Sequence, residues 1–319
     1  MQLHDKRILI TGGFGLAGSA VYNNLVAKGC KDIFRYHSKE FDLTIAKDTE
    51  EMLRECKPNV VFHFAAAVGG IWANRTMPAS FCRDNTLMNI NILEACAIND
   101  YVQKLCLTGS GCVYPEHAAL PLNESSLWDG LPEPNTSVYG VTKRMLTLQS
   151  KAYYQQYGLN SFVIFPTNLY GPGDNFHPDH SHVIAGIIHK VYTAHQNKSN
   201  SVILWGDGTP TRDFLYITDF SKMTIDLMER YESLEPVNVG TGKEVTIKRL
   251  TNLIKEYIGF QGKIFWDTSK PNGQQRRCFD CDRLEESLGY SAPTSLEKGL
   301  TKTIQWYNNN VTNLRLDSK

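Results

Sequence analysis

A tyrosine and a lysine lie four residues apart in the segment Tyr139-Gly-Val-Thr-Lys143. The segment opens the stretch Tyr139–Tyr157, whose pattern predicts a helix, so both side chains are expected on one helical face. A lysine ammonium beside a phenol lowers the phenol pKa, because a nearby positive charge favours phenolate. We therefore predict that Tyr139 exchanges a proton with a carbonyl oxygen and that Lys143 is the neighbouring charge.

A serine that could bind the same carbonyl oxygen follows a predicted strand, Lys104–Thr108. This serine is Ser110, and with Tyr139 and Lys143 it completes the residue set of carbonyl-reducing dehydrogenases. In that set the serine hydroxyl donates a hydrogen bond to the carbonyl oxygen and the tyrosine protonates it. The lysine also holds the nicotinamide ribose, so a dinucleotide-binding turn is needed upstream.

Such a turn lies near the N-terminus, in Thr11-Gly-Gly-Phe-Gly-Leu-Ala-Gly18, between a β-branched run and a helical pattern. Gly12 allows a tight turn, Gly15 lets the backbone approach a pyrophosphate, and Gly18 lets helix and strand pack closely. The N-terminus of the following helix then faces the phosphates. The position of the pattern favours dinucleotide binding over a merely structural glycine turn.

The end of the second predicted strand indicates which dinucleotide binds. An NAD enzyme usually has an acidic residue there, about 20 residues after the turn, to bind the ribose 2′-hydroxyl. Here Arg35 and Lys39 offer cations for a 2′-phosphate, so NADP is favoured. The alternative is that both are solvated loop cations beside Glu40. Asp42, just beyond, is a candidate partner for the adenine amino group.

The elements that must position these residues alternate between strands and helices. This order predicts an α/β protein with a Rossmann-type doubly wound parallel sheet. The predicted strands are Arg7–Thr11, Asp32–Tyr36, Val60–Phe64, Lys104–Thr108, Ser161–Phe165 and Val202–Trp205, and the predicted helices are Ser19–Lys28, Thr49–Cys56, Asn89–Ile98, Tyr139–Tyr157 and Thr246–Ile258.

Two turn-rich stretches, Tyr114–Ser137 and Tyr170–His182, are too long for simple connections and are expected to line a site. We predict two domains that interleave along the chain. The NADP-binding Rossmann domain comprises residues 1–169 and about 213–240, and the smaller α/β substrate domain comprises about 170–212 and 241–319.

The composition excludes several other classes of protein. The 319 residues include 33 Lys+Arg and 33 Asp+Glu, without a basic arm for nucleic acid or an acidic tail. No run of about 18 apolar residues is present to cross a membrane, and the chain enters its first strand without room for a signal peptide. We expect a cytoplasmic protein that binds neither nucleic acid nor membrane. Its eight cysteines are expected to be free thiols there.

Further motifs resemble the extended short-chain dehydrogenase/reductase superfamily and, within it, the GDP-L-fucose synthase family. They are Gly109–Pro115, Pro166–Pro172, Asp174–Pro178, Ser181–Ile184 and Trp205–Arg212, and the similarity extends from the first strand to at least Arg283. The resemblance implies an NADP(H)-dependent enzyme that converts GDP-4-keto-6-deoxy-D-mannose to GDP-L-fucose, by epimerisation at carbons 3 and 5 and reduction at carbon 4. It also implies a homodimer that pairs helices of the nucleotide domain.

The resemblance assigns an acid–base pair to Cys112 and His182. Without it, Cys112 would be interpreted as a small buried thiol, the usual environment of cysteine. With it, Cys112 matches the family cysteine that deprotonates carbons 3 and 5, and His182 matches the histidine that returns a proton from the opposite face. The chemistry agrees, because a proton beside a ketone becomes removable when Ser110 and Tyr139 hydrogen-bond the developing enolate.

Two sets of residues are expected to hold the two nucleotides. The expected cofactor contacts are Gly12, Gly13, Phe14, Gly15, Leu16, Gly18, Arg35, Lys39, Asp42, Leu43, Ala65, Ala66, Tyr139, Lys143, Pro166 and Asn168. The expected substrate contacts are Val68, Gly69, Gly70, Ser110, Asn168, His182, Lys190, Trp205, Arg212 and Arg277. Arginine can grip a phosphate with two parallel N–H donors, whereas Lys190 is a point charge. Trp205 is either a flat surface for guanine or a core aromatic that ends a strand.

No metal site is predicted. His177, His180 and His182 lie near Asp174 and Asp179, but in a loop rich in Pro, Asp and Ser that has no second group of ligands at convincing spacing.

Two other functions remain open from the residues alone. One is another NAD(P)-dependent sugar-nucleotide 4-epimerase or 4,6-dehydratase, although a dehydratase would need a carboxylate near its serine and Ser110-Gly-Cys112 offers none. The other is a dinucleotide-sensing protein without catalysis, which the joint presence of the catalytic residue types argues against.

Overall fold

The computed structural model describes residues 1–69, 71–178, 180–270, 272–314 and 316. In chain order the strands are β1 (Ile8–Thr11), β2 (Ile33–Phe34), β3 (Val60–His63), β4 (Lys104–Thr108), β5 (Ser161–Pro166), β6 (Asn168–Tyr170), β7 (Ser201–Trp205), β8 (Thr211–Tyr216), β9 (Val237–Val239), β10 (Glu244–Thr246), β11 (Lys263–Asp267) and β12 (Arg276–Arg277). The α-helices are α1 (Leu16–Ala27), α2 (Ala46–Cys56), α3 (Ile71–Thr76), α4 (Pro78–Ala97), α5 (Ser137–Tyr157), α6 (Val183–Gln196), α7 (Ile217–Arg230), α8 (Ile247–Ile258), α9 (Asp282–Leu288) and α10 (Leu296–Asn310). In the described part of the chain, no helix is both long enough and apolar enough to cross a membrane.

The largest sheet has six parallel strands in the order β2-β1-β3-β4-β5-β9. Its strands are short apolar runs, and Ile8, Leu9 and Ile10 are completely buried because helices cover both faces. One face packs against α1 and α7 in a core that includes Val21 and Phe220, and the other packs against α2, α4 and α5. The predicted doubly wound α/β fold is confirmed.

The strand order determines where a ligand can enter. The chain leaves β1 toward β2 on one side and then crosses to β3 on the other, so a crevice opens at the carboxyl ends of β1 and β3. The glycine turn follows β1 and the loop of residues 64–69 follows β3, so both border this crevice. Ser110 follows β4, the next strand of the sheet.

The remaining strands build a second core. β8 pairs antiparallel with β10 and parallel with β6 and β12, and β7 pairs parallel with β11. Phe176, Ile188 and Leu250 belong to this core. The predicted division into two discontinuous domains stays a prediction. Leu284 and Leu288 of α9, from the C-terminal part of the chain, pack in the core of the six-stranded sheet.

Helix α4 differs most from its predicted bounds. It begins at Pro78, well before the predicted Asn89–Ile98, and proline suits the first position of a helix. In its first half the buried face includes a polar residue, Asn85, which is completely buried, so the apolar stripe typical of a helix is interrupted. The Asn85 amide accepts a hydrogen bond from the N–H of Ala67 at 3.1 Å and donates one to the Ala67 carbonyl at 2.9 Å. The buried Asn85 amide therefore fixes the loop after β3. Because it is polar, the hydrophobic periodicity does not predict a helix in this part of the sequence.

Candidate active site

Two glycines of the turn after β1 stand where a side chain would collide. Gly12 has a φ of +63°, and a Cβ on it would lie 2.7 Å from the backbone nitrogen of Ala65. A Cβ on Gly18 would lie 2.4 Å from the carbonyl oxygen of Gly12. Gly15 precedes α1 and has no side chain to cap its first N–H groups. These N–H groups suit an anionic pyrophosphate, so the turn fits a dinucleotide.

A buried histidine ties this turn to the neighbouring strand and helix. His63, which ends β3, is completely buried, with Nδ1 2.8 Å from Thr11 Oγ1 and Nε2 3.3 Å from Asn89 Oδ1. The Asn89 oxygen can only accept, so Nε2–H donates to it and the Thr11 hydroxyl donates to Nδ1. Thr11 Oγ1 also accepts a hydrogen bond from the N–H of Ala65 at 3.3 Å. Burial and the charge of Lys143 lower the pKa of His63 to about 3, so the ring is neutral.

Arg35 lies just after β2, at the position predicted for a 2′-phosphate contact. Its guanidinium carbon is 4.5 Å from the ring centroid of Phe14 and 3.4 Å from that of Tyr22. Nη1 donates a hydrogen bond to the Gly13 carbonyl at 3.1 Å. These contacts hold a cation beside the glycine turn. Lys39 is exposed in the following loop.

The loop before α2 contains the expected contacts Asp42 and Leu43. Asp42 Oδ1 accepts hydrogen bonds from the N–H and the hydroxyl of Thr44, at 2.9 and 2.8 Å. Leu43 is buried, and its carbonyl accepts a hydrogen bond from Asn91 at 2.8 Å. The loop is therefore ordered by its own polar contacts, and the adenine contact of Asp42 stays a prediction.

The loop after β3 carries four of the expected contacts, which are Ala65, Ala66, Val68 and Gly69. Asn74 donates a hydrogen bond to the Gly69 carbonyl at 2.9 Å, and Val68 is 49% exposed. An exposed apolar side chain on a fixed loop is available to contact a ligand. Gly70 lies outside the described residues.

Ser110, Cys112 and Tyr139 are brought together by the end of β4 and the start of α5. Ser110 Oγ accepts a hydrogen bond from the N–H of Cys112 at 3.0 Å, which begins the 3₁₀ turn Gly111–Val113. Tyr139 lies in the first turn of α5, next to Gly140. A Cβ on Gly140 would lie 2.3 Å from the Cys112 carbonyl oxygen, so this glycine lets the turn pack directly against the helix.

The pKa of Tyr139 is shifted in the direction opposite to the prediction. Burial raises it, the charge of Cys112 raises it further, and a hydrogen bond with Ser110 acts in the opposite sense. Lys143 is buried and donates from Nζ to the Thr108 carbonyl at 3.1 Å. Burial lowers the pKa of Lys143 to about 8. The predicted lowering of the phenol pKa is therefore wrong, and Tyr139 stays protonated at neutral pH, as a proton donor must.

Two arginines of the second core approach Cys112. Arg277 Nη1 donates to Cys112 Sγ at 3.6 Å. Arg277 on β12 pairs in register with Arg212 on β8. Burial and the charge of Arg277 lower the pKa of Arg212 to about 10, whereas Cys112 acts in the opposite sense. Both arginines were predicted as substrate contacts, and the structure also brings them to the candidate base.

Arg144 is a residue of the site that the sequence analysis missed. It follows Lys143 on α5 and is only 4% exposed. Its Nε donates to the Val113 carbonyl at 2.7 Å and its Nη1 donates to the Gly130 carbonyl at 2.8 Å. Arg144 thereby anchors both the turn that contains Cys112 and the long loop 114–137. The only feature of the sequence that could have indicated a role for Arg144 in the site is its position next to the predicted Lys143.

His182 lies at the N-terminus of α6, where the chain enters the second core. Its Nδ1 is 3.5 Å from Asp174 Oδ1, and its side chain is 63% exposed whereas that of Asp174 is 3% exposed. A buried carboxylate beside an exposed imidazole orients the ring. The spacing of residues in this loop does not predict that Asp174 pairs with His182, because only the folded loop brings the two side chains together.

The other histidines of this loop form a ring contact. The ring centroids of His177 and His180 are 4.6 Å apart. Asp179 lies outside the described residues. Among the residues that the structure describes, no group of three or more His, Cys, Asp and Glu side chains is arranged to hold a metal ion.

Trp205 ends β7 with its side chain turned to solvent, 58% exposed. The alternative that it is a core aromatic is therefore wrong. Lys190 Nζ and Lys270 Nζ lie 5.7 and 5.8 Å from the centroid of its ring. A flat exposed ring with two cations nearby suits a nucleotide base that is followed by phosphates. Lys270 was not predicted.

The segment that joins β5 to β6 links the two cores. Pro166 ends β5, and the side chains of Thr167 and Asn168 both donate to the Asp213 carbonyl at 2.9 Å. Asp213 follows Arg212 on β8. The end of the first sheet is thus joined to the strand that carries one of the site arginines.

Comparison with known proteins agrees with this site. Residues 8–240 match the model of the NAD dependent epimerase/dehydratase family. That stretch contains the glycine turn and the cluster of Ser110, Cys112 and Tyr139.

Individual relatives narrow the assignment. The chain is 41% identical over 311 residues to probable GDP-L-fucose synthase 1 of Oryza sativa subsp. japonica, covering 97% of this chain and 94% of the relative. It is 36% identical over 322 residues to the GDP-L-fucose synthase of Escherichia coli (strain K12), covering 98% of this chain and 100% of the relative. A crystal structure of a GDP-L-fucose synthetase from Naegleria fowleri bound to NADP superposes with a TM-score of 0.90 at 31% identity, covering 99% and 98% of the two chains.

The chain belongs to the GDP-L-fucose synthase family of the NAD-dependent epimerases and dehydratases. The resemblance drawn from the sequence motifs is confirmed.

Proposed function

We propose that this protein is an NADPH-dependent GDP-L-fucose synthase that converts GDP-4-keto-6-deoxy-D-mannose to GDP-L-fucose. The observation that carries the proposal is the cluster of Ser110, Cys112 and Tyr139 in a member of this family. A serine and a tyrosine serve carbonyl reduction, and a cysteine beside them supplies the base that epimerisation needs.

Epimerisation requires a base, an acid on the opposite face and a stabilised enolate. Cys112 removes the proton from carbon 3 or 5, and the electron pair moves to the keto oxygen. Ser110 and Tyr139 donate hydrogen bonds to that oxygen as charge develops on it. His182, held by Asp174 at 3.5 Å, returns the proton from the other face. The raised pKa of Tyr139 keeps it protonated while Cys112 acts as base.

Reduction at carbon 4 uses the same oxygen-binding groups. NADPH supplies the hydride when bound. Tyr139 gives its proton to the carbonyl oxygen, and Ser110 keeps that oxygen in place. Lys143 lies one helical turn from Tyr139 and is held at the end of β4 by the Thr108 carbonyl, where it can bind the nicotinamide ribose.

The glycine turn and Arg35 support NADP as the cofactor. The turn leaves no room for a Cβ on Gly12 or Gly18, and the uncapped start of α1 faces the same crevice. Arg35, held over Phe14 and Tyr22, would pair with a 2′-phosphate. An Arg35→Ser variant is expected to lose affinity for NADPH and to keep its affinity for NADH.

The second core supports recognition of a GDP-sugar. Trp205 offers a ring for guanine, while Lys190 and Lys270 beside it offer charge for the diphosphate. Arg212 and Arg277 lie closer to the reacting sugar because they approach Cys112. Val68 and Gly69 would border the hexose.

A homodimer in the cytoplasm is part of the proposal. Helix α5 exposes an apolar stripe at helical spacing, formed by Val138, Val141, Met145 and Leu148, which are 37% to 50% exposed. An apolar stripe on the outside of a helix favours pairing with a second copy. All eight cysteines are free thiols, which suits a reducing compartment.

The test is incubation with GDP-4-keto-6-deoxy-D-mannose and NADPH, with the stereochemistry of the product read by NMR. We expect one NADPH consumed for each GDP-L-fucose formed. A 4-epimerase or 4,6-dehydratase regenerates its cofactor, so product without net NADPH consumption would overturn the proposal. Cofactor binding without turnover would instead point to a dinucleotide-sensing protein.

A further inference from the structure

Arg277 makes a contact that phosphate binding does not explain. Its Nη1 donates to Cys112 Sγ at 3.6 Å, within the range of a hydrogen bond to sulfur. The other edge of the guanidinium is already occupied, because Nε and Nη2 both donate to Gln274 Oε1, Nε at 3.0 Å. Gln274 is neutral, and among the residues that the structure describes no carboxylate forms an ion pair with Arg277. That charge therefore acts on the thiol.

The strand pairing of β12 selects Arg277 and not its neighbour for this contact. Arg277 lies opposite Arg212 in the parallel register of β12 and β8. Arg276 pairs instead with Glu244, at 2.8 Å between Nη2 and Oε2, and is largely exposed. Side chains of adjacent residues in a strand point to opposite sides, so one arginine reaches the sulfur and the other reaches a carboxylate.

We propose that Arg277, oriented by Gln274, holds Cys112 as the thiolate and so makes it the base of the epimerisation. The thiolate is the reactive form of cysteine, and a guanidinium that donates a hydrogen bond to sulfur stabilises it. In the step itself the substrate C–H bond breaks, an S–H bond forms on Cys112, and the electron pair moves to the keto oxygen. The inference rests on the proposed function, because the base role of Cys112 is part of that function.

The charge of Cys112, the proposed base, also affects the pKa of Tyr139, the proposed acid. Burial and a negative Cys112 both raise the pKa of Tyr139, and Arg212 adds a second positive charge near the sulfur. Groups whose pKa values are pushed apart can serve as base and acid at one pH. A thiolate held by Arg277 therefore leaves Cys112 as the base and the protonated Tyr139 as the acid.

The test measures the thiolate directly, without substrate. Iodoacetamide alkylates thiolates, and mass spectrometry of the peptide that contains Cys112 gives the rate at this one cysteine. We expect Arg277→Gln to slow alkylation of Cys112 about tenfold at about pH 7, because the charge-assisted hydrogen bond is lost. At about pH 9.5, where an ordinary thiol is ionised, the difference should disappear. Arg277→Lys, which keeps the charge, should recover part of the rate.

Arg276→Gln is the matched control, because it removes an arginine from the same strand without touching the sulfur. It should leave the rate at Cys112 unchanged. Equal or faster alkylation of Cys112 in Arg277→Gln across this pH range would overturn the proposal. Gln274→Leu, which frees the guanidinium while leaving its charge, should slow alkylation by a smaller factor. Thermal melts and NADPH titrations of each variant verify that the fold is kept.

A second measurement separates this inference from the proposed function. Wild type and Arg277→Gln are compared for the entry of solvent deuterium into carbons 3 and 5 of the GDP-keto sugar. Slower alkylation together with slower exchange supports both statements. Slower alkylation with unchanged exchange supports the hold of Arg277 on the thiolate and removes Cys112 from the base role.

Discussion

The two halves of the candidate site are built in different ways. Tyr139 and Lys143 lie on α5 against the six-stranded sheet, where Lys143 is buried and donates to the end of β4. His182 and Trp205 lie in the second core with side chains 63% and 58% exposed. The half to which we assign reduction is therefore held by the interior of the fold. The other half, to which we assign proton return by His182 and guanine binding by Trp205, presents its side chains to solvent. A substrate can cover them there.

This difference indicates which properties each half controls. Groups held by buried contacts keep one geometry before substrate binds, so a change there should alter the rate of chemistry and the stability of the fold. Exposed groups contribute little to folding, so a change there should alter binding or one proton transfer and leave stability unchanged. Four variants test this contrast: two in the buried half, one at the exposed Trp205, and one at Asp174, the buried partner of the exposed His182.

The largest effect is expected for Tyr139→Phe. Removal of the proton donor should slow NADPH consumption about 10²–10⁴-fold, the usual contribution of a general acid. Exchange of deuterium into carbons 3 and 5 should fall less, because Ser110 still binds the enolate oxygen. Tyr153→Phe is the matched control on the same helix, since its hydroxyl donates to Glu94 at 2.7 Å. Equal loss of reduction and exchange in Tyr139→Phe would contradict the separate roles.

His63→Gln tests the buried half by the pH dependence of the free energy of unfolding. The pKa of folded His63 is about 3, far below that of an unfolded histidine, so acid adds a proton only to the unfolded chain. The free energy of unfolding of wild type should therefore fall as pH drops below about 6.5. In His63→Gln this fall between about pH 7 and pH 5 should be smaller by about 2 kcal/mol.

Urea unfolding at several pH values measures the fall. His117→Gln is the control, because the His117 side chain is 92% exposed. Identical pH slopes for wild type and His63→Gln would show that His63 is accessible to protons in the folded state.

Trp205→Ala tests the exposed half. Loss of a stacking surface for guanine should raise KM for the GDP-sugar about tenfold and leave kcat and the melting temperature unchanged. Trp205→Phe should keep most of the affinity, because it retains a flat ring. Ile203→Ala, on the same exposed face of β7 and 61% exposed, should behave as wild type. A fall in melting temperature for Trp205→Ala would mean that the ring supports the fold.

The smallest effect is expected for Asp174→Asn. It removes the carboxylate that lies 3.5 Å from His182 but keeps the shape of the side chain. Since His182 is largely exposed, the pair is screened, and deuterium exchange should slow only a few-fold. Asp5→Asn removes the same charge from the exposed His4–Asp5 pair and serves as control. A loss as large as that of Cys112→Ser would make Asp174 essential to proton return.

Features carried by neighbouring residues were predictable. The glycine turn, the strand before it and the helix after it form one local unit, and Tyr139 and Lys143 share a helical face because of their spacing alone. The α/β fold followed from the alternation of strands and helices along the first part of the chain. Such features depend on contacts within a few residues, which the sequence displays directly.

Features that depend on burial were not predictable. The pKa of Tyr139 rises because its surroundings exclude water and Cys112 is near, and neither can be deduced from a four-residue spacing. Trp205 ends a strand of mostly apolar residues, yet only the packing of Val202 and Leu204 into the second core decides that the Trp205 ring faces solvent. Arg144 looks like an ordinary surface arginine of a helix until its carbonyl partners are known.

The amino-acid sequence by itself determined the α/β fold, the dinucleotide turn, the residue types of the chemistry and, through its motifs, the family. Only the tertiary structure decided which charge acts on which group. Cys112 and Arg277 are 165 residues apart along the chain and meet because β12 pairs with β8 beside the turn after β4. A charge acts by distance and solvent access, and the folded chain alone sets both.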